Sequence, residues 1–152
     1  MEKESVEKER IVKQLLKTPD KGNFGDVMIV GGGISGIQAA LDLGTAGFKV
    51  YFVEKSPTVG GKMAHLDKTF PTNDCSMCIE SPKFVECKRH PNIEMLTYSE
   101  VESVEGQAGD FTVTVIRKPR YVDESKCTGC TVCVEYCPAK YPDQFNQGIS
   151  NN

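Results

Sequence analysis

A glycine-rich turn between an apolar segment and a helical pattern constrains this chain more than any other feature. Residues 27–30 are apolar, residues 31–36 read GGGISG, and a second apolar segment ends at Glu54. Glycines at the first, third and sixth positions of such a turn allow a tight bend, backbone approach to a pyrophosphate and close helix packing. The following helix directs its first N–H groups and the positive end of its dipole at an anion. This segment therefore predicts a dinucleotide-binding strand–helix–strand unit.

Two further features of this segment support the prediction. Apolar residues at helical spacing predict one buried helix face, and Gly47 is predicted to end the helix. The residues of that face are Ile37, Ala40, Leu41 and Gly44. Glu54 lies 23 residues after Gly31, where a carboxylate accepts a hydrogen bond from a ribose hydroxyl.

A second glycine pair follows the acid. Gly60 and Gly61 lie six and seven residues beyond Glu54, as in flavoprotein oxidoreductases whose glycine pair brings the backbone close to FAD. This resemblance favours FAD over NAD, and the alternative is an ordinary Pro-Gly turn. The predicted cofactor-binding residues are Gly31, Gly33, Ile34, Ser35, Gly36, Glu54, Lys55, Gly60, Gly61 and Lys62.

Composition argues against several classes of protein. The net charge is −3 and the basic residues are scattered among acids, so we expect no nucleic-acid partner. No window approaches the roughly 20 apolar residues that span a bilayer, and the N-terminus is charged where a signal peptide is hydrophobic. We therefore expect a cytoplasmic protein without a membrane span. In a reducing cytosol, the seven cysteines favour metal or redox use over disulfides.

Four of the cysteines follow the spacing of bacterial-type ferredoxins. Residues 127–138 read Cys-x2-Cys-x2-Cys-x3-Cys-Pro, in which three thiolates bind one cluster and the fourth, on a short helix, reaches another. Zinc is the alternative, but zinc sites usually separate their Cys-x2-Cys pairs by longer loops. The predicted metal ligands are Cys127, Cys130, Cys133 and Cys137.

The other three cysteines form a weaker pattern. Three interpretations of Cys75, Cys78 and Cys87 compete: ligands of another cluster, a thioredoxin-like Cys-x-x-Cys dithiol, or unrelated buried thiols. Ser81 and Pro82 predict the N-cap and first residue of a short helix that runs through Cys87. Spacing alone leaves the three alternatives open.

The remaining patterns define a fold class and three segments. Residues 1–22 predict a charged, loosely ordered extension, with a helix as the alternative. Residues 23–118 predict a Rossmann-like α/β FAD-binding domain whose third parallel strand spans 93–98. An antiparallel hairpin is predicted to follow that strand and to cover the sheet. Residues 119–152 predict a truncated 4Fe–4S ferredoxin-type segment, with Pro119 at the boundary.

Together these motifs resemble the iron–sulfur flavoprotein of heterodisulfide reductase, found in methanogens and in related bacterial electron-transfer complexes. The resemblance covers about residues 26–148, and the TFPTNDCSMC stretch at 69–78, joined to the flavin and ferredoxin motifs, is its most specific part. It implies FAD and 4Fe–4S clusters, with a cluster-ligand role as the leading interpretation of Cys75, Cys78 and Cys87. It also implies electron transfer, with bifurcation at the flavin, coupled to reduction of a disulfide on partner subunits.

The resemblance also implies which part of the family this chain represents. Members are several times longer, so we expect an N-terminal fragment that covers part of the FAD domain and the start of an inserted ferredoxin domain, inactive in isolation. The expected partners are other subunits of an electron-transfer complex and a ferredoxin or hydrogenase-type donor or acceptor. The alternatives are a thioredoxin-reductase-like oxidoreductase using Cys75 and Cys78, and a passive electron carrier. No side chain is assigned a catalytic role.

Overall fold

The computed structural model describes residues 9–14 and 25–151. The strands in these ranges are β1 (Glu9–Gln14), β2 (Asp26–Val30), β3 (Lys49–Glu54), β4 (Ile93–Thr97), β5 (Ser99–Gln107) and β6 (Asp110–Arg117). The helices are α1 (Ile34–Thr45), α2 (Ser76–Arg89) and α3 (Val132–Glu135), with a short 3-10 turn at Met63–His65. None of the described helices is both long and apolar enough to cross a membrane.

The first sheet is parallel and has the strand order β2-β3-β4. Its register places Val30 opposite Val53 and Val53 opposite Leu96, so the carboxyl ends of the three strands meet at one edge. Helices α1 and α2 connect successive strands, as parallel pairing requires. The predicted Rossmann-like α/β fold and its parallel third strand are confirmed.

Apolar side chains cover both faces of this sheet. On one face, the predicted residues of α1 are all buried and pack with Phe52, Cys87 and Ile93. On the other face, Val53 and Leu96 pack against buried valines of β6. The predicted hairpin is therefore confirmed as β5 and β6, and it covers the parallel sheet as expected.

The N-terminal segment departs from its prediction. Glu9–Gln14 is a strand, where we expected a loosely ordered extension or a helix. It pairs antiparallel with β6, from Glu9 opposite Arg117 to Gln14 opposite Thr112. The free edge of β6 supplies backbone partners that a sequence pattern does not show. The rest of the predicted extension lies outside the described residues.

Helix α2 begins earlier than predicted. Its N-cap is Cys75 and its first residue is Ser76, so Ser81 is not the cap and Pro82 lies inside the helix. The Cys75 sulfur accepts a hydrogen bond from the Cys78 N–H at 3.2 Å, which is the role that a serine or aspartate usually has. The missing proline N–H weakens the helix, and packing of α2 on α1 and β4 offsets that loss.

The chain divides after Pro119 into two compact units, of which the second is Arg120–Asn152. In the second unit, the Asp123 carboxylate accepts hydrogen bonds from the Ser125 N–H and hydroxyl, at 3.0 and 2.7 Å. The Cys127 N–H donates to the Asp123 carbonyl, which fixes the entry to the cysteine-rich segment. The functions assigned to the three predicted segments, residues 1–22, 23–118 and 119–152, and their boundaries stay a prediction.

A glycine holds α1 against the end of β2. A Cβ at Gly36 would collide with the carbonyl oxygen of Gly31 and would lie 3.3 Å from the Phe52 ring. The helix therefore cannot keep its position with any larger residue there. At its other end, Gly47 has φ of 100° and ends the helix as predicted.

Replacing Gly36 with alanine should destabilise the fold. The collision with backbone outweighs the gain of about 1 kcal/mol in helix propensity, and we expect a net loss of about 2 kcal/mol in the free energy of unfolding. Urea denaturation followed by circular dichroism measures it. Gly25→Ala is the matched control, because a Cβ there meets nothing within 4 Å. Equal stability of both variants would contradict the packing described.

Candidate functional site

The glycine turn lies at the carboxyl edge of the parallel sheet. Gly31 has φ of 110°, and its N–H donates to the Val53 carbonyl at 2.8 Å, which extends the β2–β3 ladder by one residue. Gly33 is the N-cap of α1 and brings no side chain to cap the first N–H groups of the helix. A Cβ at Gly33 would meet nothing within 4 Å, so its backbone faces open space. This arrangement fits the approach of a pyrophosphate.

Glu54 is fixed by two backbone N–H groups. Its Oε2 accepts from Gly32 and its Oε1 accepts from Ser56, the latter at 2.6 Å. A Cβ at Gly32 would lie 2.7 Å from Oε2, so the middle glycine is needed for this carboxylate position. The dinucleotide-binding motif assigns no role to Gly32. The uninterrupted glycine triplet was the available signal that the middle position is also constrained. The carboxylate oxygens retain lone pairs for a ribose hydroxyl.

The glycine pair after Glu54 packs against the glycine turn. The Gly60 N–H donates to the Gly32 carbonyl at 2.6 Å, and Gly60 forms an isolated parallel bridge with Gly33. Both Gly60 and Gly61 have positive φ, at 118° and 58°. A Cβ at Gly61 would lie 3.1 Å from the Gly33 Cα. The backbone of Gly60 and Gly61 therefore forms a wall beside the glycine turn. This position gives a structural reason for the prediction that the backbone of the pair lies close to the cofactor.

Two clefts meet at the end of β2. The first, of about 420 Å³, is lined by Val30, Gly31, Gly33, Ile34, Ser35, Gly36, Gly60, Lys62 and Met63. The second, of about 310 Å³, is lined by Val30, Gly31, Val53, Glu54, Lys55, Ser99, Glu100 and Val101. Every predicted cofactor-binding residue except Gly61 thus lines one of the two clefts. Met63 and the three residues of β5 were missed from the sequence, because no local motif marks them.

Charged side chains border the second cleft. Glu100 accepts from Lys118 at 2.6 Å and lies 3.5 Å from the Nζ of Lys55. The hydrogen bond from Lys118 lowers the pKa of Glu100. The Lys118 ammonium also lies over the Tyr98 ring, 5.6 Å from its centre. The mostly exposed Lys55 therefore lies beside Glu100 at the border of the second cleft, which Glu54 also lines.

Cys75 and Cys78 are joined in a disulfide at the exposed start of α2. Cys87 is fully buried, and its thiol donates to the Ile37 carbonyl at 3.8 Å. Burial raises the pKa of the Cys87 thiol, and the charge of Glu86 adds to that shift. The structure therefore does not bring the three cysteines together as one metal site. The pairing agrees with the dithiol alternative, and a cluster-ligand role for the three stays a prediction.

The ferredoxin-like cysteines are all exposed in the second unit. Cys133 lies in α3, and Cys137 follows the end of this helix by two residues. The pKa of Cys130 is lowered most by a hydrogen bond from the Val132 N–H, and a hydrogen bond from the Thr128 hydroxyl lowers it further. Within residues 9–14 and 25–151, no three Cys, His, Asp or Glu side chains converge as a metal site. Four thiols at this spacing nevertheless have the donor chemistry of an iron–sulfur ligand set.

Two family models match the chain. A model of FAD dependent oxidoreductases covers residues 26–77, which include the glycine turn, Glu54 and the glycine pair. A model of 4Fe-4S binding domains covers residues 120–140, which include all four cysteines of the ferredoxin-like run. The chain therefore combines an FAD-dependent oxidoreductase segment with a 4Fe–4S binding domain. The predicted cofactors, FAD and 4Fe–4S clusters, are confirmed.

Much longer relatives define the family. An iron-sulfur subunit of the CoB–CoM heterodisulfide reductase of Methanopyrus kandleri is 63% identical over 123 residues, 81% of this chain and 18% of that protein. The corresponding subunit of the ferredoxin:CoB-CoM heterodisulfide reductase of Methanosarcina mazei is 48% identical over 148 residues, 97% of this chain and 18% of that protein. Over these residues the chain belongs to the family of heterodisulfide reductase iron–sulfur flavoproteins. It spans less than a fifth of the length of either relative.

A solved structure supports the fold class. The L-proline dehydrogenase from P. horikoshii aligns with a TM-score of 0.52 and 28% identity. The alignment covers 59% of this chain and 18% of that enzyme. The predicted Rossmann-like α/β class is therefore confirmed by a solved neighbour as well as by the strand order.

Alkylation of metal-free protein should separate the cysteines into three groups. Before reduction, iodoacetamide should modify the four exposed thiols of the ferredoxin-like run. Prior reduction should add Cys75 and Cys78, while Cys87 should react only after unfolding because it is fully buried. Intact mass and peptide mapping count the modified residues. Reaction of Cys87 in native protein at the rate of the exposed thiols would contradict its position in the core.

Proposed function

We propose that this chain is an electron-transfer module in which FAD exchanges electrons with 4Fe–4S clusters, as part of the iron–sulfur flavoprotein of a heterodisulfide reductase. One observation carries the proposal. The glycine turn, Glu54 and the glycine pair converge at one sheet edge, between two clefts, in a chain that also carries a ferredoxin-like cysteine run. FAD exchanges electrons in pairs or singly whereas clusters carry one at a time, so a chain with both links two-electron and one-electron chemistry.

The flavin-binding residues have separate roles in this proposal. The backbone of Gly31 and Gly33 and the first N–H groups of α1 hold the pyrophosphate, with Ile34, Ser35 and Gly36 forming the first helical turn. Glu54, held by its two backbone hydrogen bonds, accepts from the ribose. Lys55 and Lys62 line opposite clefts, so their charges flank the phosphates from two sides. No described side chain is assigned a bond-breaking role.

The second unit supplies thiolate ligands. We assign Cys127, Cys130 and Cys133 to one cluster, and Cys137 to the same cluster or to a neighbouring one. The charge of each thiolate is needed for iron binding, and all four side chains are exposed and available.

The names of the relatives suggest the wider reaction. One relative belongs to an H(2):CoB-CoM heterodisulfide,ferredoxin reductase, and another to an H(2)/formate-linked enzyme. We propose that this module works beside other subunits that reduce a heterodisulfide, with ferredoxin or a hydrogenase-type protein exchanging electrons with it. Each of these relatives is named as one subunit of its enzyme, which supports a multi-subunit assembly.

Flavin binding by two variants tests the proposal. Gly33→Val places a side chain in the open space of the first cleft and should abolish FAD binding while leaving the fold intact, because nothing within 4 Å obstructs the new Cβ. Glu54→Ala should weaken FAD binding by about 1–3 kcal/mol, the range for a hydrogen bond to a charged group. Equilibrium dialysis against FAD measures both, with Gly25→Ala as the control. Unchanged flavin affinity in both variants would place the site elsewhere.

A second function is favoured by the disulfide. Cys75–Cys78 lies at the start of a 14-residue helix that packs on the Met63–His65 turn beside the first cleft. A helix N-terminus favours thiolate and hence thiol–disulfide exchange. Reduction of this disulfide consumes two electrons and two protons and yields two thiols, with reduced flavin as the electron donor. The chain would then act as a thioredoxin-reductase-like oxidoreductase.

Thiol counting after flavin photoreduction tests this second function. Wild-type protein loaded with FAD and reduced anaerobically by light should gain two titratable thiols, because the Cys75–Cys78 disulfide opens. The double variant Cys75→Ser/Cys78→Ser should gain none and reports the background. A wild-type chain whose flavin is fully reduced while its thiol count stays constant would exclude the dithiol function.

A further inference from the structure

Helix α2 carries two buried side chains without a hydrogen-bond partner. Ser76 and Glu80 are spaced by four residues, which places them on one face of the helix, and both are 0% exposed. Neither the Ser76 hydroxyl nor either carboxylate oxygen of Glu80 has a partner among the described residues. Buried polar groups are almost always hydrogen-bonded, so three such oxygens on one helix face point to a partner outside the described chain, such as a ligand or a water.

These oxygens lie behind the wall of the first cleft. A Cβ at Gly60 would be 3.5 Å from Glu80 Oε2 and 2.9 Å from the Phe84 ring, so α2 packs directly on this glycine. Gly60 itself lines the first cleft together with Lys62 and Met63. The same Cβ would lie 2.6 Å from the Cβ of Ala64, so the Gly60 backbone and the Met63–His65 turn together separate the buried carboxyl group from the cleft.

The positions of the two clefts define the orientation of FAD in the proposed site. Glu54 lines the second cleft, so the ribose and adenine occupy that side of the glycine turn. The pyrophosphate lies at the turn, between Gly31 and the start of α1. The ribityl chain and flavin ring must then extend into the first cleft, past Gly60 and Met63. This path leads along the wall that hides Glu80.

The chemistry of the pair suits a polyhydroxyl chain. The Glu80 carboxyl group accepts hydrogen bonds through both oxygens, and when protonated it also donates one through its O–H. Lys83, one turn along α2, donates to Gln38 at 2.5 Å and so is engaged elsewhere. The Ser76 hydroxyl also both donates and accepts. Ribityl hydroxyls have the same dual capacity, whereas a phosphate offers acceptors alone at neutral pH.

We infer that Ser76 and Glu80 form a subsite that hydrogen-bonds the ribityl hydroxyls of FAD once the Met63–His65 turn moves aside. The inference rests on the FAD site proposed above. The turn closes on itself through hydrogen bonds from the His65 N–H to the Lys62 carbonyl and from the Leu66 N–H to the Met63 carbonyl, at 3.1 and 3.0 Å. It can therefore shift as a unit without losing these bonds.

The test compares FAD with ADP, which lacks the ribityl chain and flavin. Glu80→Leu replaces the unpartnered acid with an apolar side chain and should keep or raise the thermal stability of the cofactor-free protein. The same variant should bind FAD about tenfold more weakly, as for the loss of one or two hydrogen bonds, and ADP with unchanged affinity. Glu80→Gln, which keeps a donor and an acceptor, should retain most of the FAD affinity. Calorimetric titration of the full chain measures each affinity.

The matched control is Glu86→Leu, which removes an exposed acid from the same helix and should change neither affinity. If Glu80→Leu weakens FAD and ADP equally, or changes neither, the inference fails and the dinucleotide site stands. If wild-type protein binds ADP as tightly as FAD, the flavin half makes no contact and the inference also fails. If wild-type protein binds neither molecule, the proposed function fails first, and the subsite fails with it.

Discussion

The close contact between Gly36 and the Gly31 carbonyl positions the site on which the proposed function depends. It sets the distance between α1 and the end of β2, and so directs the first N–H groups of the helix at the space above the turn. The glycine turn also supplies the Gly32 N–H that donates to the Glu54 carboxylate. A contact between two residues without side chains therefore fixes both the anion-binding and the ribose-binding positions.

The sequence predicted this unit well because its determinants are local. The buried face of α1, the glycine turn and the acid at the end of β3 all follow from spacing within about thirty residues. Gly32 was missed because its constraint comes from the Glu54 side chain, 22 positions away. Residues 99–101 were missed for the same kind of reason, since only the folded chain places β5 beside the second cleft.

The cysteines show the same division between local and tertiary information. The run at 127–137 carries its own spacing, so its chemistry is readable without a fold. The spacing of Cys75, Cys78 and Cys87 left three alternatives open, because the outcome depends on where α2 begins and which of its faces is buried. The Cys75 sulfur caps the helix and so moves its start upstream of Ser81 and Pro82. The resulting helix places Cys87 in the core and the other two cysteines outside it. Pro82, in the interior of α2, is the strongest local signal against a helix at this position, and tertiary packing overrides it.

The pairing of β1 with β6 has a consequence for synthesis of the chain. Glu9 lies opposite Arg117, so β1 leaves the ribosome about 100 residues before its partner strand is complete. The unit from β2 to β3 needs only local contacts and can form during that interval, whereas closing the β1–β6 loop carries a larger entropic cost. The outer sheet is therefore completed late in translation, on a nucleotide-binding unit that is already in place.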